Sequence, residues 1–227
     1  MAEEPARPDN RSFDFSRLPV NTRPEYKAIL DWVPEGARVV DLACGNGSLL
    51  DLLKKQRNVK EFGIELAPTG VEQCRAKGLN VRAGRVDVPL DDLADDAFDV
   101  AICSVTIMMV MYPETLLKEM KRVAPVQIVS FNNFGAIHNR LEALFSGRMP
   151  RRMLFGYTWY STGHIHQLSL LDYLDLCREL DLEVVRVDHR HSKNPLLELI
   201  YRTFPNLFTT TATVMTRRRP QPPPGSP

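Results

Sequence analysis

The sequence predicts an α/β fold with a doubly wound, mainly parallel sheet and helices on both faces of that sheet. Strand-like segments alternate with amphipathic helical segments from about residue 38 to residue 131, which is the order of parallel βαβ units with right-handed crossovers. Strand-like segments such as residues 98–104 are almost continuously apolar, as expected when helices cover both faces of a sheet.

The first half of the chain predicts an ordered alternation of elements. A helix is expected over 24–32, since Pro24 suits its first position and Pro34-Glu35-Gly36 forms a turn after it. Gly78 stops a later helix. The remaining predicted elements are strands at 38–42, 60–66, 80–85, 98–104 and 126–131, and helices at 47–56, 68–77 and 113–123.

The last third of the chain departs from this alternation. Its predicted elements are helices at 135–145 and 169–180, and strands at 183–189 and 209–216. Ser169 is a good helix cap, and residues 209–216 are expected to form the last, edge strand of the sheet. Residues 146–168 are rich in glycine, aromatic and basic residues, and a loop of this length is typical of a functional cap or lid.

Length and composition predict one soluble domain. The chain has 227 residues, of which 44% are hydrophobic and 25% charged, enough for a substantial core. We expect a flexible N-terminal arm over 1–20, one domain over 21–216, and a disordered proline-rich tail over 217–227.

Charge and hydropathy give no reason to expect nucleic acid or a membrane as partner. The net charge is +1, and the tail has three arginines and no acids, so the rest of the chain carries −2. No apolar run approaches the roughly 20 residues that span a bilayer, and the N-terminus lacks an apolar signal core. We therefore expect a cytoplasmic protein.

Cysteine and histidine usage predicts neither disulfides nor a metal site. The four cysteines are widely spaced without a CxxC pair and suit buried apolar positions. Two His-x-His pairs occur, His164 with His166 and His189 with His191, but no carboxylate cluster accompanies them. A histidine of the first pair could act as a general base, although a hydrogen bond to a loop carbonyl is the more common role.

The turn after the first strand predicts a nucleoside-containing ligand. Its sequence is Asp41-Leu42-Ala43-Cys44-Gly45-Asn46-Gly47. Gly45 and Gly47 let backbone N–H groups approach a ligand, although a G-x-G pattern alone is a weak signal. Glu65 ends the next strand, about 20 residues after the glycines, where a carboxylate can accept hydrogen bonds from ribose hydroxyls.

The acid at the start of this turn favours S-adenosylmethionine over NAD. Asp41 can face the cationic end of S-adenosylmethionine or orient the turn. A pyrophosphate would instead favour a bare helix N-terminus with no acid nearby. A tight turn that binds no ligand is the remaining alternative.

The turn, together with Gly63-Ile64-Glu65, resembles the core of class I S-adenosylmethionine-dependent methyltransferases. Later segments are similar to the MetW proteins of bacterial methionine biosynthesis, and the resemblance covers about residues 24–190. The segments that carry it are Ile128-Val129-Ser130-Phe131-Asn132-Asn133-Phe134-Gly135, Gly147-Arg148-Met149-Pro150, Tyr157-Thr158-Trp159-Tyr160-Ser161-Thr162 and Ile165-His166.

This resemblance implies a Rossmann-like class I methyltransferase fold and a role beside homoserine O-acyltransferase, as its partner or activator. It implies S-adenosyl-L-methionine as the cofactor. The expected cofactor-binding residues are Asp41, Ala43, Gly45, Gly47, Glu65, Leu66, Asp87 and Ser104. No catalytic residue is identified.

The chain departs from the family pattern at several positions of this site. Ala43 and Asn46 replace a glycine and an acid of the turn. Arg85 stands where the third strand usually ends in Gly-Asp, and Asp87, two residues on, could substitute for that acid. The family's Ser-Gln-Thr after the fourth strand becomes Ser104-Val105-Thr106. These departures predict weakened or altered cofactor binding.

Three functional hypotheses follow. The first is a MetW-like S-adenosylmethionine-binding protein that acts in methionine biosynthesis with a homoserine O-acyltransferase. The second is an active methyltransferase on a small-molecule acceptor, and the third is a pseudoenzyme that keeps only an interaction surface. The expected lid or partner surface combines aromatic with basic residues. Its members are Tyr157, Trp159, Tyr160, Arg148, Arg151 and Arg152.

Overall fold

The computed structural model describes residues 14–15, 23–151, 157–188 and 191–219. None of the helices in these ranges is long and apolar enough to cross a membrane. In chain order the elements are α1 (Pro24–Trp32), β1 (Arg38–Leu42), α2 (Ser48–Arg57), β2 (Lys60–Glu65), α3 (Pro68–Ala76), β3 (Val81–Ala83), β4 (Val100–Ser104), α4 (Pro113–Val123), β5 (Val126–Asn132), α5 (Ile137–Ser146), α6 (Leu170–Glu179), β6 (Leu182–Asp188), α7 (Pro195–Thr203), α8 (Pro205–Phe208) and β7 (Thr211–Arg218).

The strands form one seven-stranded sheet in the order β3-β2-β1-β4-β5-β7-β6. The first five strands are mutually parallel, and β7 runs antiparallel to both β5 and β6. The strand order reverses beside β1, which pairs with β2 on one side and β4 on the other. The predicted doubly wound, mainly parallel sheet is confirmed, and the switch point between β1 and β4 is where such sheets bind ligands.

Two apolar layers enclose the sheet. On one face, Val40 and Leu42 belong to a cluster that includes buried residues of α4 and α6. On the other face, Val39 and Ile102 pack with apolar residues of α1, α2 and α3. Because side chains alternate along a strand, each strand contributes to both layers. This explains the apolar strands of the sequence.

The predicted position of the last strand at the sheet edge is wrong. Strand β7 lies between β5 and β6, and its register with β5 runs from Val126↔Arg217 to Asn132↔Thr211. Ala212 and Val214 are fully buried in it. The outer strand is β6, whose register with β7 is irregular between Val184 and Arg186, a feature common at sheet edges.

The predicted disordered tail also begins too early. Arg217 and Arg218 belong to β7, where the Arg217 guanidinium donates to Glu183 and that of Arg218 to Asp96. Pairing with β6 and β5 extends the strand through these basic residues. Residues 220–227 of the predicted tail lie outside the described ranges, as do residues 1–13 and 16–20 of the predicted arm.

Helices α7 and α8 were not predicted. Asn194 caps α7, because its side-chain oxygen accepts hydrogen bonds from the N–H groups of Leu196 and Leu197. Pro195 occupies the first helical position, which suits its fixed φ and its lack of an N–H group. The Asn-Pro pair before an apolar run was therefore the available sequence signal for α7.

Candidate functional site

The turn after β1 has a left-handed backbone at three positions. Ala43, Gly45 and Gly47 have φ values of 66°, 58° and 74°. The N–H groups of Ala43 and Cys44 both donate to the carbonyl of Ile64, at 2.8 and 3.1 Å, which joins the turn to β2. The turn is thereby held against the end of the strand that carries Glu65.

Gly47 is required where the turn enters α2. A Cβ atom at this position would lie 2.6 Å from Leu79 Cδ1 and 2.8 Å from Cys74 Sγ. Its φ of 74° is also a conformation that side chains disfavour. Asn46 orders the same end of α2, because its side-chain oxygen accepts hydrogen bonds from the backbone N–H and the hydroxyl of Ser48.

Glu65 bridges the turn and the start of α3. Its carboxylate accepts hydrogen bonds from the N–H of Gly45 and from the N–H of Ala67, each at 2.7 Å. The residue is only 4% exposed. Burial raises the pKa of Glu65, and the backbone hydrogen bonds partly oppose that rise. The carboxylate is thus fixed at the carboxyl end of β2, beside the glycine turn.

Asp41 is a buried acid with one carboxylate oxygen, Oδ1, that accepts no hydrogen bond from the described residues. It is 2% exposed. Burial, followed by the nearby charge of Glu65, raises the pKa of Asp41 to about 7. An unpaired buried carboxylate is costly unless it is protonated or meets a cation. The site therefore suits a positively charged ligand group.

Glu25, on α1, is another buried acid at this end of the sheet, and it was not predicted as a site residue. It is 4% exposed and accepts a hydrogen bond from the Ser104 hydroxyl at 3.4 Å. Ser130 Oγ lies 3.2 Å from Ser104 Oγ and donates to it. Burial raises the pKa of Glu25. In sequence, an acid in the first turn of a helix indicates only a favourable helix-dipole interaction, so no signal distinguished it.

Asp87 is engaged by its own neighbours. The Arg85 guanidinium donates to both carboxylate oxygens, at 3.0 and 2.9 Å, and the N–H of Met111 donates to Oδ2 at 2.8 Å. Burial opposes ionisation, but these hydrogen bonds outweigh it and lower the pKa of Asp87. Leu66, the residue after Glu65, exposes its side chain.

The structure thus brings most of the expected site residues to one end of the sheet. Gly45 donates to Glu65, and Ala43 donates to the carbonyl of Ile64, the residue before Glu65. Gly47 donates to Cys44 within the same turn, and Asp41 pairs in register with Gly63 of β2. Ser104 belongs to a second group with Glu25 and Ser130. The expected role of Asp87 as a ligand acceptor competes with its ion pair to Arg85.

The cap segment packs on the loop that follows β4. The N–H groups of Ile165 and His166 donate to the carbonyl of Met108, at 2.9 and 3.1 Å. Trp159 and Tyr160 form an edge-to-face pair with ring centroids 5.4 Å apart, and Trp159 is 73% exposed. Arg152 lies outside the described residues. The segment thus adjoins the carboxyl end of β4, and its mobility as a lid stays a prediction.

The histidine pairs do not form a described metal site. Among the residues whose placement is described, no group of three or more histidine, cysteine or acidic side chains could hold a metal ion. His191 lies 3.2 Å from carboxylate oxygens of Asp188 and of Glu198. His189 lies outside the described ranges. All four cysteines are free and buried, and Cys44 Sγ lies 3.8 Å from Cys74 Sγ.

Solved structures share this fold. A SAM-dependent methyltransferase from Thermotoga maritima aligns with a TM-score of 0.60 and 20% identity, covering 86% of this chain and 87% of that one. An S-adenosylmethionine dependent methyltransferase from Mesorhizobium loti aligns with a TM-score of 0.64 and 17% identity, covering 88% of this chain and all of that one. At these identities the likeness shows the methyltransferase-like Rossmann fold.

Sequence comparison identifies the family. A protein of Rhodopirellula baltica described as "Bifunctional methionine biosynthesis protein MetXA/MetW" is 29% identical over 169 residues. The match covers 70% of this chain and 27% of that protein, so the chain spans about a quarter of its length. The family model for "Methionine biosynthesis protein MetW" matches residues 23–216. The chain therefore belongs to the MetW family.

Proposed function

We propose that this MetW-family protein binds S-adenosylmethionine, or its product S-adenosylhomocysteine, at the carboxyl ends of β1 and β2, beside the glycine turn and Glu65. The observation that carries the proposal is the placement of two buried acids, Asp41 and Glu65, on either side of a turn with left-handed backbone. In the bound state Glu65 would accept hydrogen bonds from the ribose hydroxyls, and Gly45 would line the ligand.

The charge of this site supports S-adenosylmethionine over a dinucleotide. A negatively charged ligand group is unfavourable beside Asp41 and Glu65, because both residues are acidic. Their burial makes an additional negative charge less favourable still. A pyrophosphate would add two more negative charges. The positively charged ammonium and sulfonium groups of S-adenosylmethionine would instead neutralise the negative charges of the two carboxylates. The exposed Leu66 offers an apolar surface beside the ribose position.

Calorimetric titration with S-adenosylmethionine and S-adenosylhomocysteine tests the cofactor proposal. Glu65→Ala should weaken binding by about 1–3 kcal/mol, because hydrogen bonds to a charged group are lost. Glu183→Gln, which changes an exposed acid on the distant strand β6, is the matched control and should bind as the wild type does. Absence of binding by the wild type at millimolar ligand would contradict the proposal.

We propose further that the protein acts beside a homoserine O-acyltransferase in methionine biosynthesis. The fused MetXA/MetW relative supports this, since domains joined in one protein often associate when they are separate chains. Two helices could supply a contact surface. In α5, Leu144 and Phe145 are strongly exposed, and in α7, Leu196 and Leu199 are exposed one turn apart.

Co-purification with a homoserine O-acyltransferase, followed by an acyltransferase assay, tests this partnership. We expect the two chains to elute together and the acyltransferase rate to change when this protein is added. Leu144→Asp with Phe145→Asp, and separately Leu196→Asp with Leu199→Asp, test the two helices, and at least one pair should abolish co-elution. Independent elution of the wild-type proteins would contradict the partnership.

Methyl transfer to a small molecule is the second candidate function. The polar group formed by Glu25, Ser104 and Ser130 at the carboxyl ends of β4 and β5 favours it, because an acceptor beside the cofactor would meet hydrogen-bonding groups there. The sulfonium is intrinsically reactive, so alignment supplies most of the rate. Formation of S-adenosylhomocysteine from S-adenosylmethionine in the presence of candidate acceptors, and its loss in Ser104→Ala, would support this function.

A further inference from the structure

Phe15 belongs to the N-terminal arm, yet it is fixed to the domain by both of its backbone polar groups. Its N–H donates to the Thr69 hydroxyl at 3.0 Å, and its carbonyl accepts from Gln73 Nε2 at 2.5 Å. Both partners lie on α3, more than 50 residues away in sequence. These two hydrogen bonds set the position of the Phe15 side chain relative to the turn.

The Phe15 ring lies against two glycines, Gly45 of the turn and Gly70 of α3. A Cβ atom on Gly45 would lie 3.1 Å from Cε1 of the ring, and a Cβ atom on Gly70 would lie 3.1 Å from Cδ2. The Gly70 Cβ position is also 2.9 Å from Glu65 Cγ and 2.8 Å from the Gly45 carbonyl oxygen. The ring, the glycine turn and the stem of Glu65 therefore meet at one point.

We propose that Phe15 forms the outer wall of the ligand site and packs against the sugar of a nucleoside held by Glu65. This inference rests on the proposed function and adds to it a binding residue from the arm. An aromatic ring at this position excludes water from the carboxylate and strengthens its hydrogen bonds to a ligand. It also provides a broad apolar contact at little cost in conformational entropy. Because Gly45 and Gly70 have no side chains, the ring can occupy the space beside them.

Titration of Phe15→Ala with S-adenosylhomocysteine tests the wall. We expect affinity to fall about 3- to 10-fold, because the apolar area that the ring would bury against the sugar is lost. Phe15→Trp keeps a ring and should retain most of the affinity. Thr69→Val removes the acceptor for the Phe15 N–H and should lower affinity in the same direction. Phe204→Ala, which removes an exposed ring at the end of α7, is the matched control and should bind as the wild type does.

The outcomes separate this inference from the proposed function. If the wild type binds and Phe15→Ala binds equally well, or more tightly, the wall is overturned and the cofactor proposal stands. If the wild type does not bind, the proposed function fails and the wall fails with it. Hydrogen exchange at residues 45–47 and 69–73, measured without ligand, then reports separately whether the ring covers the turn, since exchange would be faster in Phe15→Ala.

Discussion

Asp41 combines burial, an unpartnered oxygen and proximity to Glu65, and its protonation should control stability around neutral pH. Its pKa is about 7 in the folded protein and near its ordinary value of 3.8 in the unfolded chain. The folded state therefore binds the extra proton between these values. Asp41 therefore stabilises the folded protein fully below about pH 4, and this stabilisation is lost as the pH rises through 7.

Asp41→Asn should remove this pH dependence. Relative to the variant, the wild type should lose roughly 2–4 kcal/mol of unfolding free energy between pH 5 and pH 8, because only the wild type must bury a charge. Urea unfolding of both proteins at the two pH values measures the difference. Asp31→Asn, at an exposed acid of α1, provides the control. A constant difference between wild type and Asp41→Asn across this range would contradict the prediction.

The residues that the sequence could identify are those whose role depends on local geometry. Gly45, Gly47 and Glu65 were predicted because a strand, a tight turn and a second parallel strand place them together whatever the rest of the chain does. Glu25 and Phe15 reach the same region only through the packing of α1 and through the hydrogen bonds of Phe15 to α3. Neither belongs to a periodic pattern or motif that specifies such a position.

Among the elements, α6 illustrates a helix start that was predicted and confirmed. Ser169 accepts a hydrogen bond from the N–H of Asp172, and the Asp172 carboxylate accepts from the N–H of Ser169, which is a complete capping box. Two N–H groups that a helix leaves without partners are satisfied reciprocally. The same serine lies close to Gly135, so the cap also joins α6 to the segment after β5.

Ser169→Ala should lower the free energy of unfolding by about 1 kcal/mol, the usual effect of losing a helix cap. Ser169→Gly, which removes the same hydroxyl but suits the cap backbone, should lower it by only a few tenths of a kcal/mol. Thermal unfolding by circular dichroism compares the two. Equal destabilisation by both substitutions would show that contacts other than capping dominate at this position.

Element type was predictable over most of the chain, but the neighbours of the last strand were not. Local alternation identified a strand at 209–216, and nothing in that pattern specifies which strands it pairs with. Pairing depends on contacts between β7 and segments as distant as β5, where Thr216 Oγ1 donates to Gln127 Oε1 at 3.0 Å. Both side chains are fully buried, which fits a strand that is covered by neighbours on both sides.

At the scale of the whole molecule, β7 joins two parts of the sheet. Truncation after residue 210 removes both the β5–β7 and the β6–β7 pairs, and leaves the backbone groups along the outer edge of β5 without partners. We expect this variant to be insoluble or to lack a cooperative unfolding transition. A chain ending after Arg219 keeps all described strand pairs and should unfold as the full chain does. Cooperative unfolding of the shorter variant would contradict this prediction.

The interior position of β7 also has a consequence for synthesis on the ribosome. Strand β6 emerges first, but its strand partner in the described sheet, β7, follows about 30 residues later. At a synthesis rate of roughly 5–20 residues per second, the backbone groups of β6 lack that partner for on the order of 1–6 s. During this interval β5 also lacks its outer neighbour. The nascent chain therefore passes through a stage in which the edges of β5 and β6 that later pair with β7 are open. Early contact with chaperones would protect it from aggregation at this stage.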